Sequence, residues 1–189
     1  MASRIYRKVY IILFIICFIL ESPAFAQDAK LADILVTNTR DDLLVYLNVE
    51  GAFREKLKKA VLSGVPTTFS FYVGLYKTRN WWKDKEIADI KVTNTVKYDN
   101  LKKEFVVKRS WVNSEPLVTQ SFEEAQKQMA EVDSLKIVPL NMLEKGGRYQ
   151  LRAKAELSKV TLPLYLHYVL VFVSLWDFET DWYTVDFIY

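Results

Sequence analysis

The chain has 189 residues, 51% of them hydrophobic and 14% aromatic, with 26 Lys and Arg against 23 Asp and Glu. That is enough apolar material for one domain with a substantial core, while a formal charge of +3 is too small an excess to grip the phosphates of a nucleic acid. A single histidine and a single cysteine exclude the clustered ligands that zinc and related metals need.

The first element in the chain is an export signal. Arg4, Arg7 and Lys8 form a positive start, Val9 to Leu20 is unbroken apolar sequence, and Ser22-Pro23-Ala24-Phe25-Ala26 ends in a small-x-small pattern. Residues 1–26 are read as a secretory signal peptide cut between Ala26 and Gln27, leaving a single β-rich domain over 27–189. The rival readings are an uncleaved anchor and a lipoprotein. The apolar stretch falls short of the ~20 residues of a spanning helix, and Cys17 lies between Ile16 and Phe18 where a lipoprotein wants small residues. Cleavage removes three basic residues and Glu21, leaving 23 bases against 22 acids, and takes Cys17 with it. The mature domain therefore has no disulfide and depends on packing.

Leu31 to Thr37 and Leu43 to Val49 alternate as strands around the polar turn Asn38-Thr39-Arg40-Asp41-Asp42 and predict a hairpin. Between Gly51 and Leu62 the period becomes helical: Phe53, Leu57, Ala60 and Val61 share one side, and Gly64 and Pro66 stop the helix. From Thr67 the period returns to two. Phe69, Phe71, Val73 and Leu75 then face the core as a central strand, with Ser70, Tyr72, Gly74 and Tyr76 on the other side. Ile90, Val92, Val96 and Tyr98 begin a second hairpin that turns at Asp99-Asn100 and returns over Glu104 to Arg109. Ser121-Phe122-Glu123-Glu124 has the form of a capping box, and Phe122, Ala125, Met129 and Val132 predict a second short helix over Ser121 to Val132.

Tyr149 to Leu157 alternates most cleanly, with Tyr149, Leu151, Ala153, Ala155 and Leu157 inward and Gln150, Arg152, Lys154 and Glu156 in water. The preceding Leu143-Glu144-Lys145-Gly146-Gly147-Arg148 resembles the approach to a tyrosine corner, although Tyr149 as a plain core ring fits the same residues. Leu162 to Trp176 is an apolar run too short to span a bilayer. Pro163 suits a helix start and the β-branched and aromatic content suits a strand, so both remain open, as do a buried role and a peripheral membrane contact.

Chemistry is sparse. His167 sits in an apolar setting with no Gly-x-Ser-x-Gly turn, and Gly51, Gly64, Gly74, Gly146 and Gly147 form neither a P-loop nor a dinucleotide turn. No cofactor, no metal and no catalytic constellation are predicted. The binding candidates are Trp176, Glu179, Asp181, Trp182 and Tyr183, where rings alternate with carboxylates, together with Trp81 and Trp82. Rings stack on sugars and carboxylates accept sugar hydroxyls, and Glu179 with Asp181 on one strand face could act as acid and base on a glycan. Core rings and solvated acids are the plainer reading. The aromatic density from Leu162 to Tyr189 places any interaction surface there, with at least one of Trp176, Trp182 and Tyr183 accessible.

Gly64-Val65-Pro66, Trp81-Trp82, Gly147-Arg148-Tyr149, Leu162-Pro163-Leu164 and the block from Trp176 to Tyr183 together resemble a bacterial exported family, DUF4390, a domain of unknown function. The resemblance covers most of the mature chain. It implies a small secreted or envelope protein, often encoded near a sensor kinase of the nitrogen-regulation type, and supplies no catalytic residues.

The fold expected is mainly β (α+β): an antiparallel, immunoglobulin-like β-sandwich of about seven or eight strands with two short helices. An eight-stranded outer-membrane barrel is the rival, prompted by the ending Asp186-Phe187-Ile188-Tyr189 and opposed by the two charged helices. The function expected is non-enzymatic binding or accessory work in the bacterial periplasm or cell envelope, with an envelope protein or a glycan as partner. Glycan-active and membrane-associated proteins are the alternatives.

Overall fold

A computed structural model describes residues 29–158 and 178–189. The expected leader with its Ala26–Gln27 cut, the run Leu162 to Trp176, His167 and Trp176 all lie outside the described residues.

Strand β1 (Lys30–Asn38) and strand β2 (Asp42–Glu50) form the first hairpin, antiparallel as expected. Its turn is set by Thr39, whose hydroxyl oxygen accepts the backbone N–H of Asp42 at 3.0 Å. Leu43, Val45, Leu47 and Val49 of β2 are buried. Helix α1 (Glu55–Leu62) starts four residues later than the sequence pattern suggests, because Arg54 is extended at φ −71°, ψ 159°. Phe53 nevertheless reaches the core from outside the helix, with its ring 5.1 Å from that of Phe69.

Strands β3 (Thr67–Lys77), β4 (Lys85–Asp99), β5 (Glu104–Arg109) and β6 (Leu117–Thr119) follow as an antiparallel meander. In the β4–β5 turn the Asp99 carboxylate accepts the backbone N–H groups of Leu101 at 2.9 Å and Lys102 at 3.1 Å. Helix α2 (Phe122–Ala130) is capped by Ser121, whose hydroxyl oxygen accepts the N–H of Glu124 at 3.2 Å. The reciprocal half of the capping box is diverted: the Ser121 N–H goes to the Thr119 hydroxyl, which itself donates to the Glu124 carboxylate. Val132, expected on the helix stripe, belongs instead to strand β7 (Glu131–Pro139), which begins one residue after α2 ends.

Strand β8 (Arg148–Leu157) pairs with β3, and β9 (Tyr183–Ile188) pairs with β8. Two sheets result, ordered β1-β2-β7 and β6-β5-β4-β3-β8-β9, with β3 central as its apolar face requires. Among the described residues both stay open, and the larger ends on β6 and β9, which opposes the barrel rival and fits the α+β sandwich with two helices. Side chains of both sheets and both helices merge in a single core, where Phe69, Phe71, Val73, Leu75 and Leu151 are fully enclosed. Complete burial of each such side chain contributes about 1.5–3 kcal/mol. Tyr149 is enclosed too, and its hydroxyl oxygen accepts the backbone N–H of Glu144 at 2.8 Å, giving the corner-like link that its sequence context suggested.

Candidate functional site

The outer face of the six-stranded sheet is built by register. Pairing sets Tyr72 of β3 between Lys91 of β4 and Lys154 of β8, Ser70 beside Glu156, Gly74 beside Arg152, and Tyr76 beside Gln150. Asp186 of β9 then falls next to Gln150. Alternation turns all of these side chains away from the core.

They bond to one another. The Tyr72 hydroxyl donates to Glu156 at 2.6 Å, and the Lys154 ammonium donates to Glu179 at 2.6 Å and lies 3.7 Å from Glu156. Lys91 and Lys154 stand 4.8 and 5.5 Å from the Tyr72 ring centre, and Lys154 is also 5.5 Å from the ring of Trp182. Farther along, Arg152 is 4.5 Å from the Tyr76 ring and donates to Asp84 at 2.9 Å and to Gln150 at 2.6 Å, and Gln150 donates to Asp186 at 2.8 Å. The hydrogen bond that Lys154 donates to Glu179 raises the pKa of its ammonium above the ordinary value, with the Glu179 and Glu156 charges adding to it, so this lysine stays a cation.

Gly74 makes the packing on this face possible. A Cβ at that position would meet the Tyr76 ring at 2.7 Å, so only glycine lets that ring lie back over the strand beneath Arg152.

The residues singled out from sequence divide between two places. Glu179 and Trp182 meet around Lys154. Trp182 is 56% exposed, and Tyr183, the first residue of β9, is 47% exposed. Trp81 and Trp82 lie elsewhere, on the loop between β3 and β4, 92% and 80% exposed. Glu179 and Asp181 both turn outward between the buried Phe178 and Thr180 and β9, but they do not share a strand: Glu179 sits at a single bridge with Glu156, and Asp181 lies in the connection beyond it. A glycosidase acid needs an apolar pocket that keeps its proton at neutral pH. Glu179 is instead exposed and hydrogen-bonded to an ammonium group.

Sequence reasoning placed Tyr72 and Tyr76 on the face of β3 opposite the core row and Arg152, Lys154 and Glu156 in water, without seeing that they form one network. Among the described residues no group of three or more His, Cys, Asp or Glu is placed to hold a metal ion, and no helix is long and apolar enough to cross a membrane. The arrangement is a braced plate of rings and charges. Its charged groups are tied to one another by hydrogen bonds and ion pairs.

The sequence profile of the family described as Domain of unknown function (DUF4390) matches residues 26–186. No curated protein and no solved structure matches the chain.

Proposed function

The chain belongs to the DUF4390 family, and from that premise we propose that it is an exported, non-enzymatic binding module of the bacterial periplasm or cell envelope that docks a partner protein through the Trp182 end of its six-stranded sheet. The leader-like residues 1–26 support export. The single observation behind the docking surface is Trp182, more than half exposed beside the fixed cluster of Lys154, Glu156 and Glu179, with Tyr183 next to it. A large ring on a pre-ordered polar surface is the usual anatomy of an interface anchor, since little side-chain entropy is left to lose on binding.

A protein suits this surface better than a glycan does. Sugar rings need open aromatic faces, whereas the rings of Tyr72 and Tyr76 carry Lys91, Lys154 and Arg152 within 4.5–5.5 Å. The test is affinity capture from envelope extract with the chain and its Trp182→Ala variant, alongside a glycan array. A partner whose affinity falls by about 2 kcal/mol in the variant, with folding stability unchanged to within about 1 kcal/mol, supports the reading. Array binding that Trp182→Ala abolishes replaces it with glycan recognition. Turnover of a bound glycan that is lost in Glu179→Gln or Asp181→Asn replaces it with an enzyme.

A further inference from the structure

The β3–β4 loop is the least explained surface of the molecule. It runs from Thr78 to Asp84, is closed at its base by the pair Lys77–Lys85, and presents Trp81 and Trp82 almost wholly to solvent at 92% and 80%. Two adjacent tryptophans at such exposure find no core to fill. They crown a convex hairpin tip rather than line a groove, so they cannot enclose a small ligand. Packing gives no reason for them here, since any polar pair would close the same turn.

The charges around them are one-sided. Arg79, Lys83 and Lys85 are exposed on the loop and its base, and the entry to β8 adds Lys145 and Arg148, the latter tied to the loop by the Thr78 N–H donating to its carbonyl at 3.0 Å. Of the nearby acids, Asp84 is held by Arg152 at 2.9 Å and Glu144 is paired with Lys77, leaving Glu86 against the five cations just named. The cations converge in space as well as in sequence: Glu144 is held below the usual carboxylate range by Lys77 first, with Lys85 and Arg79 adding to it.

Indole rings favour the interfacial layer of a bilayer, where an apolar body and one N–H donor are both accommodated. Lys and Arg beside them add attraction to anionic headgroups. A convex tip of this kind fits a wide, deformable surface, whereas a folded protein would have to offer a matching pocket.

We propose that the Trp81–Trp82 tip is a membrane-surface anchor that seats in the headgroup layer of an anionic lipid bilayer, with Arg79, Lys83, Lys85 and Arg148 around it facing the lipid phosphates. This surface is separate from the Trp182 face and does not depend on the partner proposed there.

The test is co-sedimentation of the mature chain, residues 27–189, with vesicles of phosphatidylcholine alone and of phosphatidylcholine with phosphatidylglycerol. The chain pellets with the anionic vesicles, and added salt weakens the binding. Trp81→Ser with Trp82→Ser lowers the partition coefficient at least about tenfold. Lys83→Gln with Lys85→Gln lowers it about tenfold or more on anionic vesicles and leaves the neutral ones unaffected. All four residues are exposed, so the variants keep the parent melting temperature, which is measured alongside. A wild-type chain that stays in the supernatant with anionic vesicles overturns the proposal. So does a double tryptophan variant that pellets as well as wild type, which would move the contact to another segment such as Leu162 to Trp176.

Discussion

Asn94 is the polar group on which the join between the two sheets depends. It is fully buried on β4, between Val92 and Val96 on the same inward row, and its amide nitrogen faces the carbonyls of Gln128 at 3.2 Å, Met129 at 2.9 Å and Glu131 at 3.0 Å. Gln128 and Met129 belong to the last turn of α2, whose carbonyls have no partner within the helix, and Glu131 is the first residue of β7. One side chain thus satisfies the exit of a helix and its immediate reversal into a strand. Asn94→Leu keeps much of the volume and removes both N–H donors. Two carbonyls left without partners cost about 1–3 kcal/mol each, and deleting the unpartnered Asn94 Oδ1 returns about one such quantity, so the net loss is about 1–3 kcal/mol. Asn94→Asp turns an oxygen toward the three carbonyls and is worse at neutral pH, by about 4 kcal/mol or more.

The sign of its pH dependence follows. Burial among carbonyls raises the folded-state pKa of an aspartate there above the unfolded value of about 3.9. The penalty is therefore full above the folded value and shrinks as pH falls from there toward about 3.9, levelling off only below that, where both states carry the neutral acid. Urea unfolding followed by circular dichroism, at neutral pH and near pH 4, measures all of this. An Asn94→Leu protein within about 0.5 kcal/mol of wild type, or an Asn94→Asp penalty that does not shrink in acid, refutes the reasoning.

Two further outcomes are expected. Gly147→Ala brings a Cβ to 2.8 Å from both the Glu144 carbonyl oxygen and the Tyr149 ring, so it costs about 1–3 kcal/mol in urea unfolding and disturbs the Glu144–Tyr149 hydrogen bond. For wild type, the carboxyls of Asp99 (backbone N–H groups of Lys102 and Leu101), Glu123 (its own N–H and the Ser121 hydroxyl) and Glu144 (Lys77) lie below their ordinary 3.8 and 4.5, so they stabilise the fold above those values and lose that effect as pH falls through the lowered ones. Lys154, raised by Glu179, stabilises below its ordinary 10.5 and loses that effect as pH rises through its raised value, so the melting temperature should be level across neutral pH and fall at both ends.

Elements whose burial has an uninterrupted period were legible from sequence. β8 alternates enclosed and half-exposed residues along its whole length, and β5 runs over Glu104–Arg109 as its pattern predicts. β7 escaped because its period is broken. Its register with β2 shifts twice and Ser134 takes φ +58°, so inward positions do not recur every second residue. β6 escaped because three residues carry no period, and helix α2 was overrun by two residues because Val132 falls on the helical stripe by coincidence of spacing. The plate on the outer face depends on register. Tyr72 and Glu156 are 84 positions apart, and nothing local says that β3 and β8 are neighbours or which residue of one meets which of the other.

Register also separates the two proposed surfaces. The tip begins at Lys77, whereas Tyr72 beside Lys154 and Ser70 beside Glu156 lie five and seven residues back along β3, or about 17 and 23 Å at ~3.3 Å per residue. A bilayer holding the tip at headgroup depth would therefore leave the Lys154–Glu179–Trp182 cluster clear of the lipid and open to a partner. The strand between them is braced by Arg152, which ties the base of the tip through Asp84 to the plate through Gln150 and Tyr76. Because the sites are distant and share no side chain, their substitutions should act independently. Trp182→Ala should leave vesicle binding intact, and the Trp81 and Trp82 changes should leave partner affinity in solution intact. Loss of both activities in either variant would mean that one surface, not two, does the binding.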